Sequence, residues 1–382
     1  MTAPGRAAAA ARPVLELVDP FSARAEEVWR GLERAAAPPY FLAWPWIATW
    51  LSLLPRADAP RLAVLVADGA PVAAAFLGRR LLLRHLLFPS RAWFLNTTGR
   101  TRWDELTIEH NAVLCAPGAT PSLAALLDAL PGGWDEVVLP ALSRATFPGN
   151  ALDEPLSGYV VRVDRSCPSP YVDLAKVRAS RDGYLSLLGA STRAQLRRAE
   201  RGFGAVRLEV AADVEQALDV YRELVELHGR GWRARGRPGA FADPWFEGFH
   251  RRLVEDRFPH GEIQLLRLRC GGATLGCLYN LVFSGRVLFY QSGLAPFGDP
   301  RLKPGYLCHA EAIRHNAAAG HLVYDLLGGE SRYKRSLATD EHHLVWARVQ
   351  RPRLRFRVEE ALRRARRARA ARRAAQPEPA RS

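Results

Sequence analysis

At 382 residues the chain is long enough for two domains with a core in each, and an apolar share of 48% beside 24% charged residues excludes a disordered or fibrous protein. The formal net charge is +15, yet residues 353–382 hold 11 Arg against 3 Glu, so +8 of it belongs to a C-terminal tail. Cys115, Cys167, Cys270, Cys277 and Cys308 form no CxxC pair and no zinc spacing, and no apolar run nears the ~20 residues of a bilayer span; a disulfide scaffold, a zinc ribbon and a helical membrane protein are excluded. With no basic-then-apolar leader at the start, the expectation is a soluble chain in the cytoplasm. Arginine supplies 51 of the 54 basic residues; with so much alanine this reflects base composition, and arginine content alone identifies no partner.

In chain order, residues 1–13 read as a disordered, alanine-rich start and 14–18 as a strand. Ser22 caps a helix that Pro38 and Pro39 stop. Phe41, Trp44, Trp46, Ile47, Trp50 and Leu51 predict a second helix from about Pro45; these tryptophans supply core and interface mass, or Trp44 and Trp46 wall a substrate groove. Strands follow at 61–67, 72–77, 81–88 and 92–95, the first two joined by an Asp68-Gly69 turn. Glu105, Glu109 and His110 come next; Glu109 and His110 are either a base or structural. A helix at 123–130 and a strand at 136–139 close the first half, and the proline-rich stretch 152–171 reads as the linker.

The second half starts with helices at 180–188 and 191–201, the latter carrying Arg193, Arg197, Arg198 and Arg201 on one face. A strand at 204–210, a helix over 213–230 with Asp213 as its cap, a glycine- and arginine-rich loop, a helix at 244–254 and a meander at 263–292 follow. His228 and Trp232, where that loop begins, could line an acceptor site. The meander at 61–88 has the look of a diverged copy, so the element order suggests an internal duplication.

Residues 285–337 carry the strongest functional signal. A strand at 287–291 is followed by a helix beginning near Gly305 and a second strand at 321–327, closed by Gly328-Gly329: a βαβ unit with parallel strands. The helix start offers bare N–H groups and a positive dipole end to an anion, and Arg301 and Lys303 add to that field. Asp325 at the strand end and Glu330 in the glycine loop are the carboxylates best placed to orient an amine or act as base, and His309 falls in the helix's first turn.

The segments YQSG (290–293), LKPGY (302–306), YDLLGGESRYKRSL (324–337), STRAQLRRAER (191–201), FLAWPWIATWL (41–51) and DELTIEHNAVL (104–114) resemble GNAT-type acyltransferases, in particular the CelD-type or FemAB-like branch with two GNAT-like folds. The resemblance implies a mixed α/β fold of tandem GNAT-like domains at 14–165 and 166–350, each a mostly antiparallel meander with a βαβ unit and a V-shaped strand splay. The tail at 351–382 would lie outside both. The first copy, whose loop NTTGRTRWDEL lacks a phosphate-cradling glycine cluster, would be degenerate.

By the same resemblance Arg301, Lys303, Pro304, Gly305 and Tyr306 would hold a pyrophosphate, Lys334 would bind a phosphate or a carboxylate, and Gln291, Ser292 and Gly293 would present an oxyanion-binding N–H. Tyr333 would protonate the leaving thiolate or touch pantetheine. His228, Trp232, Tyr290 and His309 would line the acceptor site, and no metal is expected. The implied donor is acetyl-CoA or another acyl-CoA, and the acceptor an amine of a small molecule, sugar or cell-envelope or polysaccharide precursor. RLKPGY departs from the Arg/Gln-x-x-Gly-x-Gly/Ala phosphate loop, which leaves aminoacyl-tRNA open as donor, and an inactive accessory role in polysaccharide assembly is the third reading. The Arg-rich helices and tail could attract tRNA or an anionic membrane surface.

Overall fold

The computed structural model describes residues 13–84, 88–106, 108–119, 123–143, 156–299 and 301–374, so most of the expected disordered start, Pro300 and the last residues of the tail lie outside it. The first half runs β1 (Val14–Val18), α1 (Ala23–Ala36), α2 (Trp44–Leu53), β2 (Arg61–Ala67), β3 (Ala70–Arg84), β4 (Phe88–Leu95), α3 (Thr101–Asp104), β5 (Leu114–Cys115), α4 (Leu123–Ala129) and β6 (Glu136–Ser143). The second half runs β7 (Val160–Asp173), α5 (Leu174–Ala179), α6 (Ala190–Phe203), β8 (Val206–Val210), α7 (Val214–Arg233), α8 (Pro244–Arg257), β9 (Ile263–Cys270), β10 (Ala273–Phe283), β11 (Arg286–Leu294), α9 (Pro304–Ala318), β12 (Val323–Asp325) and α10 (Arg332–Leu337). β13 (Asp340–Gln350) and α11 (Leu354–Ala374) end the described chain.

All 13 strands join one mixed sheet, in the order β1-β2-β3-β4-β6-β13-β7-β12-β11-β10-β9-β8, with β5 beside β3. Each half is an antiparallel meander (β2-β3-β4 and β9-β10-β11) whose last strand has a parallel neighbour, β6 or β12. β13 is the joint: it pairs antiparallel with β6 on one side and with β7 on the other. A cut at 165/166 therefore falls inside β7. Each half has an apolar cluster of its own, around Leu196, Ile313 and Tyr324 in the second and around Leu127, Trp134 and Leu139 in the first, and a third cluster joins them, in which Trp29, Trp46 and Phe76 meet Tyr221, Phe249 and Tyr279. Trp46 meets Phe249 at 4.9 Å and Trp103 meets Trp245 at 5.1 Å, edge-on contacts between halves that favour the interface reading of the tryptophans.

Local expectations hold where capping chemistry is plain. Ser22 accepts from the Ala25 N–H and Asp213 from Gln216, each starting its helix as expected; Asp243, a cap the sequence reading did not name, accepts from Trp245. Four readings need correction. The strands expected at 72–77 and 81–88 are one 15-residue strand, β3. Residues 180–188 form only a 3-10 turn at Tyr184–Leu187. α7 carries the glycine-rich loop's first residues as helix to Arg233. Residues 160–171 of the expected linker belong to β7 despite Pro168 and Pro170.

Those two prolines are explained by the sheet. β12 pairs with β7 only as far as Asp325↔Tyr171. Beyond it, the Leu326 and Gly329 N–H groups donate to the Pro170 and Pro168 carbonyls at 3.0 Å each. N–H and C=O of one strand residue point the same way, so the missing proline donors face the side where the neighbouring strand has ended. The prolines mark an internal edge in the sheet, beside the gap described next.

Candidate active site

β11 and β12 pair over three positions, Arg286↔Val323 to Leu288↔Asp325, and then part. β11 continues along β10 to Leu294, while the chain after Asp325 follows β7. A register shift between Tyr279 and Asn280 leaves Tyr290 unpaired as a bulge on β11, which bends that strand away. The helix beside the gap, α9, spans 15 residues, starts with Pro304 at its first turn, and has no side chain capping its N-terminus. Lys303 at the cap position and Arg301 are exposed; Arg301 bonds Asp299 at 2.8 Å, and Arg198 of α6 adds positive potential there. This end of α9 can receive an anion through backbone amides and these cations.

Two glycines there serve packing. A Cβ on Gly305 would lie 2.9 Å from the Leu294 side chain, and one on Gly293 would lie 2.4 Å from the Leu224 carbonyl of α7. Close approach at Gly293 is thus made by α7, and the anion-binding capacity at Gly305 resides in the amides. Gln291 and Ser292, half-buried on β11, pair with Tyr279 and Leu278.

Tyr333, on α10, is half-buried and stacks on His309 at 5.8 Å and 26°. Burial pushes its hydroxyl up to about 12, and the hydroxyl makes no hydrogen bond among the described residues. The next helical turn is tied to α9 through Ser336, whose hydroxyl lies 3.0 Å from that of Tyr306 and donates to the Tyr333 carbonyl. His309 falls in the second turn of α9, not the first. It packs edge-on against Phe289 at 4.4 Å, lies 3.2 Å from the Tyr324 hydroxyl, and burial pulls its pKa down to about 3, so it is a neutral core residue supporting Tyr333.

The gap's floor is ionic and comes from both halves. Asp325 is completely buried, its carboxylate 3.0 Å from Nε2 of His110, close but not aligned for a hydrogen bond, and 3.7 Å from Arg286. Burial works against both charges, but each outweighs it for the other: His110 is raised above 6.5 and Asp325 held below 3.8. Asp325 also accepts from the Leu327 N–H at 2.8 Å, so it serves to fix this loop and His110 instead of meeting an acceptor. Glu109, also buried, accepts from the Gly328 N–H at 2.5 Å; burial raises its pKa. Lys334 turns inward and donates to the Leu327 and Gly328 carbonyls at 3.2 and 2.9 Å, and burial lowers its pKa. It is held away from the surface phosphate role expected of it. Glu330 is exposed on the loop.

The expected acceptor residues separate. Tyr290 faces the junction: its hydroxyl donates to the Leu106 carbonyl at 2.8 Å and lies 3.1 Å from Nε2 of His250, whose Nδ1 is 3.3 Å from the Tyr279 hydroxyl. His250 is fully buried and its pKa is pulled far down, so this relay is neutral. His228 is buried in α7, accepts from Trp232 Nε1 at 2.8 Å, and is lowered to about 4 by burial. The His228 ring meets Trp232 and, edge-on at 5.0 Å, Phe241, while Arg235 lies over the Trp232 ring at 5.6 Å.

In the first half the equivalent gap is filled. β4 and β6 pair over Ala92↔Glu136 to Phe94↔Val138, and Asn111 then wedges between them. Its side chain donates to the Leu95 and Pro140 carbonyls at 3.1 and 2.9 Å and accepts from Asn96 at 2.7 Å. Asp104 accepts from the Thr98 and Gly99 N–H groups at 2.8 and 2.7 Å, so these loop amides are answered from within the chain. Beside this wedge a cavity of 20 Å³, lined by Trp46, Asn96, Trp103 and Asp104, has room for about one water and none for a cofactor arm.

Two meanders, each followed by a parallel neighbour and a splay, with one splay beside an uncapped helix, define a tandem GNAT-type acyltransferase fold. Residues 190–335 match the acetyltransferase (GNAT) domain family, and the double arrangement is similar in fold to that of FemX. The crystal structure of FemX is similar with a TM-score of 0.54 and 11% identity, covering 84% of this chain and 95% of that one. L-PGS from Bacillus licheniformis is similar with a TM-score of 0.52 and 11% identity, covering 90% of this chain and 96% of that one. No curated protein matches the sequence. At these identities the likeness concerns the fold.

Proposed function

We propose that this protein is a transferase that moves an acyl group from a thioester, acetyl-CoA or another acyl-CoA, to an amine of a small molecule, sugar or cell-envelope precursor. The observation that carries this reading is the second-half splay: strands parting after Leu288 and Asp325 beside an α9 N-terminus with no side-chain cap. The donor's pyrophosphate lies on the α9 amides with Lys303 and Arg301, and its pantetheine arm enters between β11 and the 326–329 loop. The amine attacks the thioester carbonyl; the C–N bond forms, the C–S bond breaks, and the thiolate takes the proton of Tyr333. Glu109, raised by burial at the same loop, takes the amine's proton, while Asp325, His110 and Lys334 hold that loop in place.

An acyl-transfer assay with labelled acetyl-CoA and a panel of amines tests this, with Tyr333→Phe and Glu109→Gln as controls. Transfer that depends on both residues is the expected result. Absence of transfer from any acyl-CoA, with transfer from an aminoacyl-tRNA, would replace the donor; absence of both would leave a binding protein on this fold.

A further inference from the structure

We propose that α11 and the groove beside it form a docking surface for an anionic lipid bilayer. α11 lies back on the sheet through one face. Phe356 is buried, and the buried Glu359 carboxylate accepts from Arg84 of β3 at 2.6 and 2.8 Å. Arg84 in turn bonds Glu136 at 2.9 Å, also buried, so the helix is anchored at a fixed place in the fold.

The opposite face is what asks for a partner. Leu354, Val358 and Leu362 recur every fourth residue and are 76%, 41% and 52% exposed, an apolar ridge on a helix with its other side already packed. Ala361 and Ala365 widen the ridge, and the exposed Arg357 and Arg364 border it. A groove of 690 Å³ between α11 and strands β7 and β13 continues the surface. Its walls include Arg351, Arg353 and the half-exposed Val160 and Val163, with Glu360 paired to Arg162 at 2.9 Å and to Arg364 at 3.1 Å, so arginines outnumber the one carboxylate there.

Apolar side chains aimed outward between arginines match the two layers of an anionic membrane face, headgroup charge above and acyl chain below. An RNA would use the arginines and leave the ridge in water. A second copy of this chain would bring like charge against like. Charge complementarity therefore selects a negative partner, and the ridge selects a lipidic one. No helix among the described residues is long and apolar enough to cross a membrane, so the contact is peripheral. This inference is independent of which donor the site uses.

Co-sedimentation of the full chain with vesicles tests it. Binding to vesicles of phosphatidylcholine with about one-third phosphatidylglycerol, and little to phosphatidylcholine alone, is expected, with weakening as salt rises. Leu354→Ser with Leu362→Ser should lower binding by about tenfold with unchanged circular dichroism, since both side chains are exposed. Arg357→Ser with Arg364→Ser should lower it by a similar factor. Three outcomes would overturn the proposal: equal binding to neutral vesicles, binding to anionic vesicles that the leucine pair does not change, or a transfer RNA retained where anionic vesicles are not.

Discussion

The two splays share one arrangement, a meander strand parting from a parallel neighbour, and differ in what occupies them. In the first half Asn111 stands between β4 and β6, and Asp104 answers the loop amides from within the chain. In the second half β11 bulges at Tyr290, the two strands part, and the amides at the start of α9 have no side chain answering them. One short segment serves both places: Asn111 closes the first gap, and Glu109, two residues earlier, reaches Gly328 in the second. The half with the filled splay thus supplies a carboxylate to the other.

The most damaging test of the filled gap is Asn111→Ala. It removes one of two acceptors from the Asn96 amide, which keeps the Ala112 carbonyl, and the Asn111 donor from the Leu95 and Pro140 carbonyls, and should cost about 3 kcal/mol in a denaturant titration. Turnover per folded molecule should survive. A loss below about 1 kcal/mol would mean that the wedge is ornamental. In the open gap, Tyr333→Phe should lower turnover by about a hundredfold with donor affinity unchanged; normal turnover would remove Tyr333 from proton transfer.

The ionic floor between the gaps gives a pH signature. His110 is raised, so its contribution to stability is complete below 6.5 and is lost as pH climbs through its folded value; Asp325 is lowered, so its contribution is complete above 3.8 and is lost as pH falls through its folded value. Chemical-denaturation stability should therefore peak between those limits, and His110→Gln should flatten the alkaline side. The same alkaline slope in His110→Gln would assign it to another group. The smallest effect belongs to Asp104→Asn, about 1 kcal/mol or less in stability with donor binding intact.

Much of the frame was legible. Helix caps at Ser22 and Asp213, the Asp68-Gly69 turn, the 263–292 meander and the helix at Pro304 all carry short-range signals, and each appears where its chemistry puts it. The joint was not legible. β13 begins with Asp340, Glu341, His342 and His343, which conceal a strand that pairs on both sides, and β7 contains two prolines that make sense only beside a gap. The site was half legible for the same reason. Tyr333 and the α9 start lie within one βαβ unit, whereas Glu109 meets Gly328 across 219 residues of chain, and no local pattern announces such a contact. The His250, Tyr279 and Tyr290 relay likewise needs the packing of α8 on two strands; in the sequence Tyr290 stands out through the resemblance alone, and His250 and Tyr279 are ordinary core positions.

Donor stoichiometry separates the two gaps most directly. Titration calorimetry of the full chain with acetyl-CoA should show one molecule bound per chain, with affinity lowered about tenfold or more by Lys303→Glu at the start of α9 and unchanged by Asp104→Asn in the first half. Two molecules per chain, or binding that follows Asp104 and ignores Lys303, would contradict the assignment of an open second gap and a filled first one.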